Sequence, residues 1–344
     1  MENENNINTG HIPITSSELG TLWVVYQKKT MMVRVIDYFL SKNQDSEAIE
    51  ILQTFNEGEN NFVNELTSIF KQEGAAVPVG FTENDVNLDA PPLFDDVYDV
   101  MYLRIMMEIA TGIHALHMAM AYRKDIMDLY KRFTQFAEDY AEKTTEYLLR
   151  KGVLPKPPNV NIPHQIEFAE GKGYRAGFKP VGHRRSLNTV EVAYLHEAID
   201  SNISGMKLMT GFAQVAEEKD VMKYFLRGKE LSKTIIQKFS EILLDSDINV
   251  SSTSSGLVTD STMPPFSSKL MMYNTSLLSS FSLGSNAIGT SFSLRKDLPP
   301  KILMIVKDIY EFASDGGDIM IKHGWMEEPP QMASRTQLSK GKGK

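Results

Sequence analysis

The chain repeats itself. Pro91-Pro92-Leu93-Phe94 returns as Met263-Pro264-Pro265-Phe266, and Tyr147-Leu148-Leu149-Arg150-Lys151-Gly152 returns as Ile319-Met320-Ile321-Lys322-His323-Gly324. Each of these glycines is followed five residues later by a Pro-Pro pair, Pro157-Pro158 and Pro329-Pro330. The offsets are 173 for the first motif, prolines aligned, and 172 for the second. Solenoid units repeat every ~20–50 residues, so this is a duplicated domain. A length of 344 residues also fits two domains of ~100–200 residues each.

Within each copy the apolar residues fall three or four apart, the spacing of an amphipathic helix. Thr15 to Glu18 carries a hydroxyl-to-carboxylate start signal, and the stripe Leu19, Leu22, Trp23, Tyr26, Thr30, Val33, Ile36, Phe39, Leu40 follows. A second helix is expected from about Glu47 to Glu73, closed by Gly74. A third is expected over Leu93 to Tyr122, and a fourth from Arg123 or Asp125 to Lys151. The second copy predicts helices over Thr189–Ala216, Asp220–Leu244, Phe266–Arg295 and Pro299–Gly324. Phe225-Leu226-Arg227-Gly228 echoes Phe55-Asn56-Glu57-Gly58.

Loop lengths set the topology. Short turns join helices one to two and three to four, making each pair antiparallel. Long segments, Ala75–Pro92 and Asp245–Pro265, join helices two to three. Connections in simple bundles run ~2–8 residues, so a long middle link predicts a ferritin-like bundle with one crossover. The expectation is an all-α chain: two tandem ferritin-like four-helix bundles at 14–154 and 188–332. They are joined by a linker at 155–187 and flanked by disordered ends at 1–13 and 333–344.

Composition narrows the partners. The chain has 36 basic and 44 acidic residues, a net charge of −8, which disfavours general nucleic-acid binding. Cysteine is absent, which excludes thiolate ligands, a Cys nucleophile and disulfides. The polar start, Met1-Glu2-Asn3-Glu4, lacks the apolar run of a signal peptide. Leu270 to Leu294 carries no charge, but Ser, Thr, Asn and Gly interrupt it throughout. It reads as a helix buried in protein, so no membrane span is expected. Its small-residue series Ser276, Ser280, Gly284 permits close helix approach, as packing within the chain, the favoured reading, or as an oligomer contact. The methionines Met101, Met106, Met107, Met118 and Met120 read as adaptable core. The linker holds Lys172, Arg175, Lys179, Arg184 and Arg185 among prolines and glycines. It reads as a solvated linker packed over the domain junction, with an anion or partner site as the sharper reading.

Ferritin-like bundles often hold two metal ions, using a Glu from each of two helices and a Glu-x-x-His pair from each of the others. Three residues before the seven histidines stand Asn8, Thr111, His114, Asn161, Pro180, Ala193 and Met320. None is Glu, so a conventional di-iron oxidase is not expected. One pair remains: His114 and His117, a helical turn apart. They could hold one metal ion with Glu108, Glu138 or Glu142 as oxygen ligand. The alternative is that the pair straddles the core boundary and hydrogen-bonds to neighbouring helices. No Walker loop, dinucleotide fingerprint or nucleophile elbow occurs.

Several segments carry a resemblance. Phe225-Leu-Arg-Gly-Lys-Glu230, Asp260-Ser-Thr-Met-Pro-Pro-Phe266, Lys269-Leu-Met-Met-Tyr273 and Gly324-Trp325 with Pro329-Pro330-Gln331 look like signatures of domain of unknown function 3231. Gly80-Phe81-Thr82 with Asp85-Val86-Asn87 resembles its first crossover loop. The linker segment Gly177-Phe178-Lys179-Pro180 departs from the family in being less aromatic. The resemblance spans Ile14 to Met332. It implies tandem ferritin-like bundles in an endospore-forming bacterium, distantly similar to spore coat protein F, with no activity and no catalytic residues to carry over. Together these readings describe a soluble structural or interaction protein of the cytoplasm, with a spore association implied by the family. The chain leaves room for a protein partner or self-association, and no catalytic residue or cofactor is expected. The rivals are a metal-binding or redox protein using His114, His117 and Glu108, and a small-ligand carrier.

Overall fold

A computed structural model describes residues 12–95, 97–176, 185–250 and 257–340. The first bundle consists of α1 (Ser16–Lys42), α2 (Ser46–Gln72), α3 (Tyr98–Ala119) and α4 (Lys124–Arg150). The second consists of α5 (Thr189–Val215), α6 (Lys219–Leu244), α7 (Ser268–Phe292) and α8 (Leu298–Lys322). A short α9 (Arg335–Ser339) lies in the segment expected to be a disordered tail. The Asn-rich start at 1–11, Lys179 and Arg184 in the linker, and 341–344 lie outside the described residues. Among the described residues there are no strands, and no helix is long and apolar enough to cross a membrane.

The helix ends are built as local chemistry dictates. Thr15 and Asn188 each form a capping box, with Glu18 and Glu191 returning to the cap backbone. Those two carboxylates do a second job. Glu18 Oε1 accepts the backbone N–H groups of Tyr122 and Arg123 at 2.8 and 2.7 Å. Glu191 Oε1 accepts those of Leu294 and Arg295 at 3.0 and 2.9 Å. One buried acid thus ties the start of the first helix to the start of the fourth, identically in both copies. Gly74, Gly152 and Gly324 close α2, α4 and α8 at φ of 67°, 69° and 71°, where glycine alone carries no Cβ penalty. Past the end of α6 that conformation falls on Asp247, φ 57°.

Ring contacts give the helix directions. Phe55 meets Tyr140 while Phe62 meets Phe133, so α2 runs antiparallel to α4. Ser17 reaches Met120 while Phe39 meets Tyr102, so α1 runs antiparallel to α3. With short turns within each pair, α2 and α3 are therefore parallel, and only a segment as long as the bundle can connect them.

The two crossovers pair with each other. Val86 bridges Phe266 and Phe94 bridges Val258, both antiparallel. Asn87 N–H donates to Pro265 O at 2.8 Å, and Thr259 N–H donates to Leu93 O at 3.0 Å. Ser267 N–H donates to Asp85 O, and Asp95 N–H to Leu257 O. Each contact has its mirror in the other copy, the reciprocal pattern of an isologous dimer. This pairing fixes the register of the two crossovers at 172, Phe94 standing where Phe266 stands. It also explains why α3 begins at Tyr98 rather than Leu93: residues 93–95 spend their backbone groups on the partner crossover.

Around this seam the core is continuous. Tyr38 meets Phe266 edge-on at 5.1 Å, Phe81 meets Tyr273 at 5.1 Å, and Phe94 stacks on Tyr98 at 4.1 Å. Each such pair contributes about 0.5–1.5 kcal/mol beyond its buried area. Phe94 can lie against α5 because Gly211 has no Cβ; an added one would sit 2.8 Å from the ring. The bundles are two by topology and share one core cluster at the seam, besides clusters of their own.

Three expectations change here. Ser276, Ser280 and Gly284 face outward or stand half-exposed, and no atom crowds the missing Cβ of Gly284. The close approach is instead at Gly289, whose missing Cβ faces Tyr194 at 3.2 Å. Met101, Met106 and Met107 are core, whereas Met120 is exposed. Of the linker's described residues, 156–171 are exposed throughout and so do not pack over the junction. Past them, Arg185 docks on bundle two, bidentate to Glu191 at 2.7 and 2.8 Å and lying over the Tyr174 ring. Its guanidinium is thereby committed to a structural ion pair.

Candidate functional site

The first bundle buries charge at its centre. Lys29 lies on the apolar stripe of α1, three residues after Tyr26, and its ammonium points inward. It contacts both carboxylate oxygens of Glu59 on α2 at 3.0 Å, with the two side chains 2% and 4% exposed. The rings of Phe133 and Phe62 flank the ammonium at 4.3 and 4.7 Å. Burial lowers the Lys29 pKa, and Glu59 opposes that shift. A buried pair of this kind compensates its own desolvation only with close geometry, which two short contacts and two ring faces provide.

Lys28, its neighbour, is different. It is 3% exposed and its Nζ has no hydrogen-bond partner. Burial, then Lys29, pushes its pKa down to about 7.

His114 and His117 occupy the facing stretch of α3. His114 is 2% exposed, packed at 5.3 Å on Phe133, and neither ring nitrogen completes a hydrogen bond. Burial, Lys28 and Lys29 hold its pKa well below the usual imidazole value; the Phe133 backbone opposes the shift without meeting hydrogen-bond geometry. His117 is half-buried, edge-on to Tyr130 at 5.5 Å, its pKa pushed down to about 4 by burial and by Lys28. The pair does straddle the core boundary. It packs on aromatic rings rather than hydrogen-bonding to neighbouring helices.

The oxygen ligands considered for this pair lie elsewhere. Glu108 pairs with Arg104 at 2.6 Å, and Arg104 also reaches Asp200 of α5 at 3.3 Å. Glu138 and Glu142 are exposed on α4. Among the described residues no group of three or more His, Asp or Glu is placed to hold a metal ion. The residues present also do not fit the carboxylate-bridged metal pair of ferritin-like enzymes. Among the described residues the carboxylate at the centre, Glu59, is engaged by the Lys29 ammonium, and the Lys28 amine stands beside the imidazoles. A cation entering here would meet like charge.

The second bundle does not repeat this site. The equivalents of His114 and His117 are Asn286 and Gly289, and those of Lys28 and Lys29 are Ser201 and Asn202. Ser201 and Asn202 help line a cavity of about 70 Å³ between α5, α6, α7 and α8, bounded on one side by Ile105 and Ile109 of α3, while Asn286 and Gly289 lie against a separate, smaller space. Sequence reasoning passed over both interiors. The available signals were a Lys-Lys pair interrupting an apolar stripe and hydroxyls set among core positions of a charge-free helix.

A family profile described as Protein of unknown function (DUF3231) matches residues 2–166 and again residues 175–338. The chain belongs to this family. The DUF3231 profile falls once on each bundle, so the unit of the family is one bundle and this chain holds two. Compared with curated proteins and with solved structures, the chain has no match. The two DUF3231 units share caps, crossovers and junction, and differ at their centres.

Proposed function

We propose that this chain is a non-catalytic structural or interaction protein that is bivalent by duplication. One observation carries the reading. Three exposed apolar residues in the first copy, Leu116, Met120 and Tyr122, have exposed apolar counterparts at the same positions of the second, Ile288, Phe292 and Leu294. Exposed single hydrophobes are ordinary. Retention of three at equivalent surface positions, where the bundle interiors themselves have diverged, points to a shared use. Two like faces related by a pseudo-two-fold axis would join copies end to end, since each isologous contact leaves the other face open.

The ferritin-like reading of each bundle is part of this proposal and rests on the single long crossover. Association with sporulation belongs to it as well and rests on the family resemblance alone. The Lys29–Glu59 plug supports the non-catalytic side.

Sedimentation velocity over a range of concentrations tests the reading. Wild type should form species larger than dimers. Leu116→Glu or Ile288→Glu alone should stop assembly at dimers, and the double variant should be monomeric. A wild-type chain that stays monomeric, or variants that associate as wild type does, would refute self-assembly. Metal analysis of the purified protein tests the rival: stoichiometric metal lost in His114→Ala would favour it.

A further inference from the structure

The cavity in the second bundle has a chemical character of its own. Its polar lining consists of Ser201, Asn202, Ser232, Thr275, Ser279 and Ser282, and the remainder is apolar apart from Gly205 and Gly228. No ionisable side chain faces it. An anion or cation placed there would have no counter-charge, and a buried unpaired charge is strongly disfavoured.

The hydrogen-bond accounting leans towards acceptors. Thr275 donates its hydroxyl to Met271 O at 2.9 Å, and Ser279 donates to Thr275 O at 2.8 Å. Ser201 donates to Ala198 O at 3.3 Å, and the Asn202 amide nitrogen donates to the same oxygen at 2.7 Å. These side chains have turned their donors back onto their own helices. What the three hydroxyls keep for the cavity is acceptor capacity, while Asn202 keeps a second amide N–H and Ser232 and Ser282 keep hydroxyls that donate as well as accept. Thr275 and Ser279 are buried, so those lone pairs have no access to bulk water.

We propose that this cavity is a binding site for a small uncharged molecule with one hydrogen-bond donor and an apolar body, of the class of short-chain alcohols. Its size sets the length. An engineered cavity of about 150 Å³ in another protein takes benzene, so a space of about 70 Å³ takes roughly half as many heavy atoms. A ligand that small binds on the order of millimolar at best. Ile105 and Ile109 come from the first bundle, so the bound molecule would touch both halves of the chain. In the first bundle Lys29 stands in place of Asn202 and pairs with Glu59, so a ligand there would meet a buried ion pair rather than an uncharged lining.

Methyl NMR of the full-length protein tests this. The Met209 side chain lines the cavity, and its resonance is assigned through Met209→Leu. Titration with 1-propanol should move the Met209 methyl signal along a saturable curve, and titration with propionate should not. Ser279→Val and, as a milder change, Gly205→Ala should each weaken the response at least several-fold by filling the space. A response that never saturates, that propionate reproduces, or that both filled variants retain overturns the proposal. A cavity occupied only by tightly held water would give no saturable shift and overturn it equally.

Discussion

Asn274 donates its amide N–H to the phenol oxygen of Tyr102 at 2.8 Å, across 172 positions of sequence. That separation is the repeat length, so the two residues are the same position of the two copies, meeting on the axis that relates them. Both are buried, and Asn274 Oδ1 has no partner. A contact between equivalents cannot be symmetric unless the residues are alike. Duplication allowed one copy to become the acceptor and the other the donor.

Tyr102→Phe removes the acceptor and leaves the Asn274 amide with neither polar end satisfied. The expected cost is about 1–3 kcal/mol, read as a lower denaturation midpoint at unchanged slope. Adding Asn274→Leu should recover much of it, because removing both partners is far cheaper than orphaning one. A double variant no more stable than Tyr102→Phe alone would show that the pair is not coupled.

Lys29→Met leaves Glu59 charged and buried without a counter-ion. Breaking such a pair costs about 3–5 kcal/mol, and Lys29→Met with Glu59→Leu should regain most of it. Equilibrium unfolding of both variants and wild type closes the cycle.

Lys28→Met should do the opposite and stabilise the protein at pH 7, by roughly 1–4 kcal/mol. The folded-state pKa of Lys28 is pushed down to about 7 from an ordinary 10.5. Between those values the unfolded chain holds a proton that the folded chain does not. Stability therefore falls as pH is lowered from 10.5 to about 7 and levels below. The variant should flatten that slope, which urea titrations at pH 7 and pH 10 measure.

Asp247→Gly should stabilise by about 0.5–1 kcal/mol, since φ of 57° suits glycine and strains an L residue. The three other long-loop or domain-end helices already use glycine there. Thermal unfolding of the variant checks this.

Much of the fold was legible because it is written in local patterns. The capping boxes at Thr15 and Asn188, the terminal glycines and the two long crossovers set helix number, direction and duplication. Pairing of the crossovers was not legible. Val86 and Val258 read as loop residues and Phe94 and Phe266 as the first residues of helices, and nothing in a single chain says that two segments far apart will bond to each other. The site was less legible still. His114 and His117 announced themselves by spacing, but Glu108 turns to Arg104 because residues six apart on a helix do not share a face. Lys28 and Lys29 stand among the stripe residues of the first helix without belonging to it by type, and only packing of four helices reveals that they point inward.

The mirrored backbone bonds between the crossovers have a consequence for the tether. Residues 156–171 are exposed and lie outside the seam, so the covalent link contributes proximity and little else. A protease nick there should leave two polypeptides that remain clasped through native purification, and the halves expressed from separate genes should find one another as an ordinary heterodimer would.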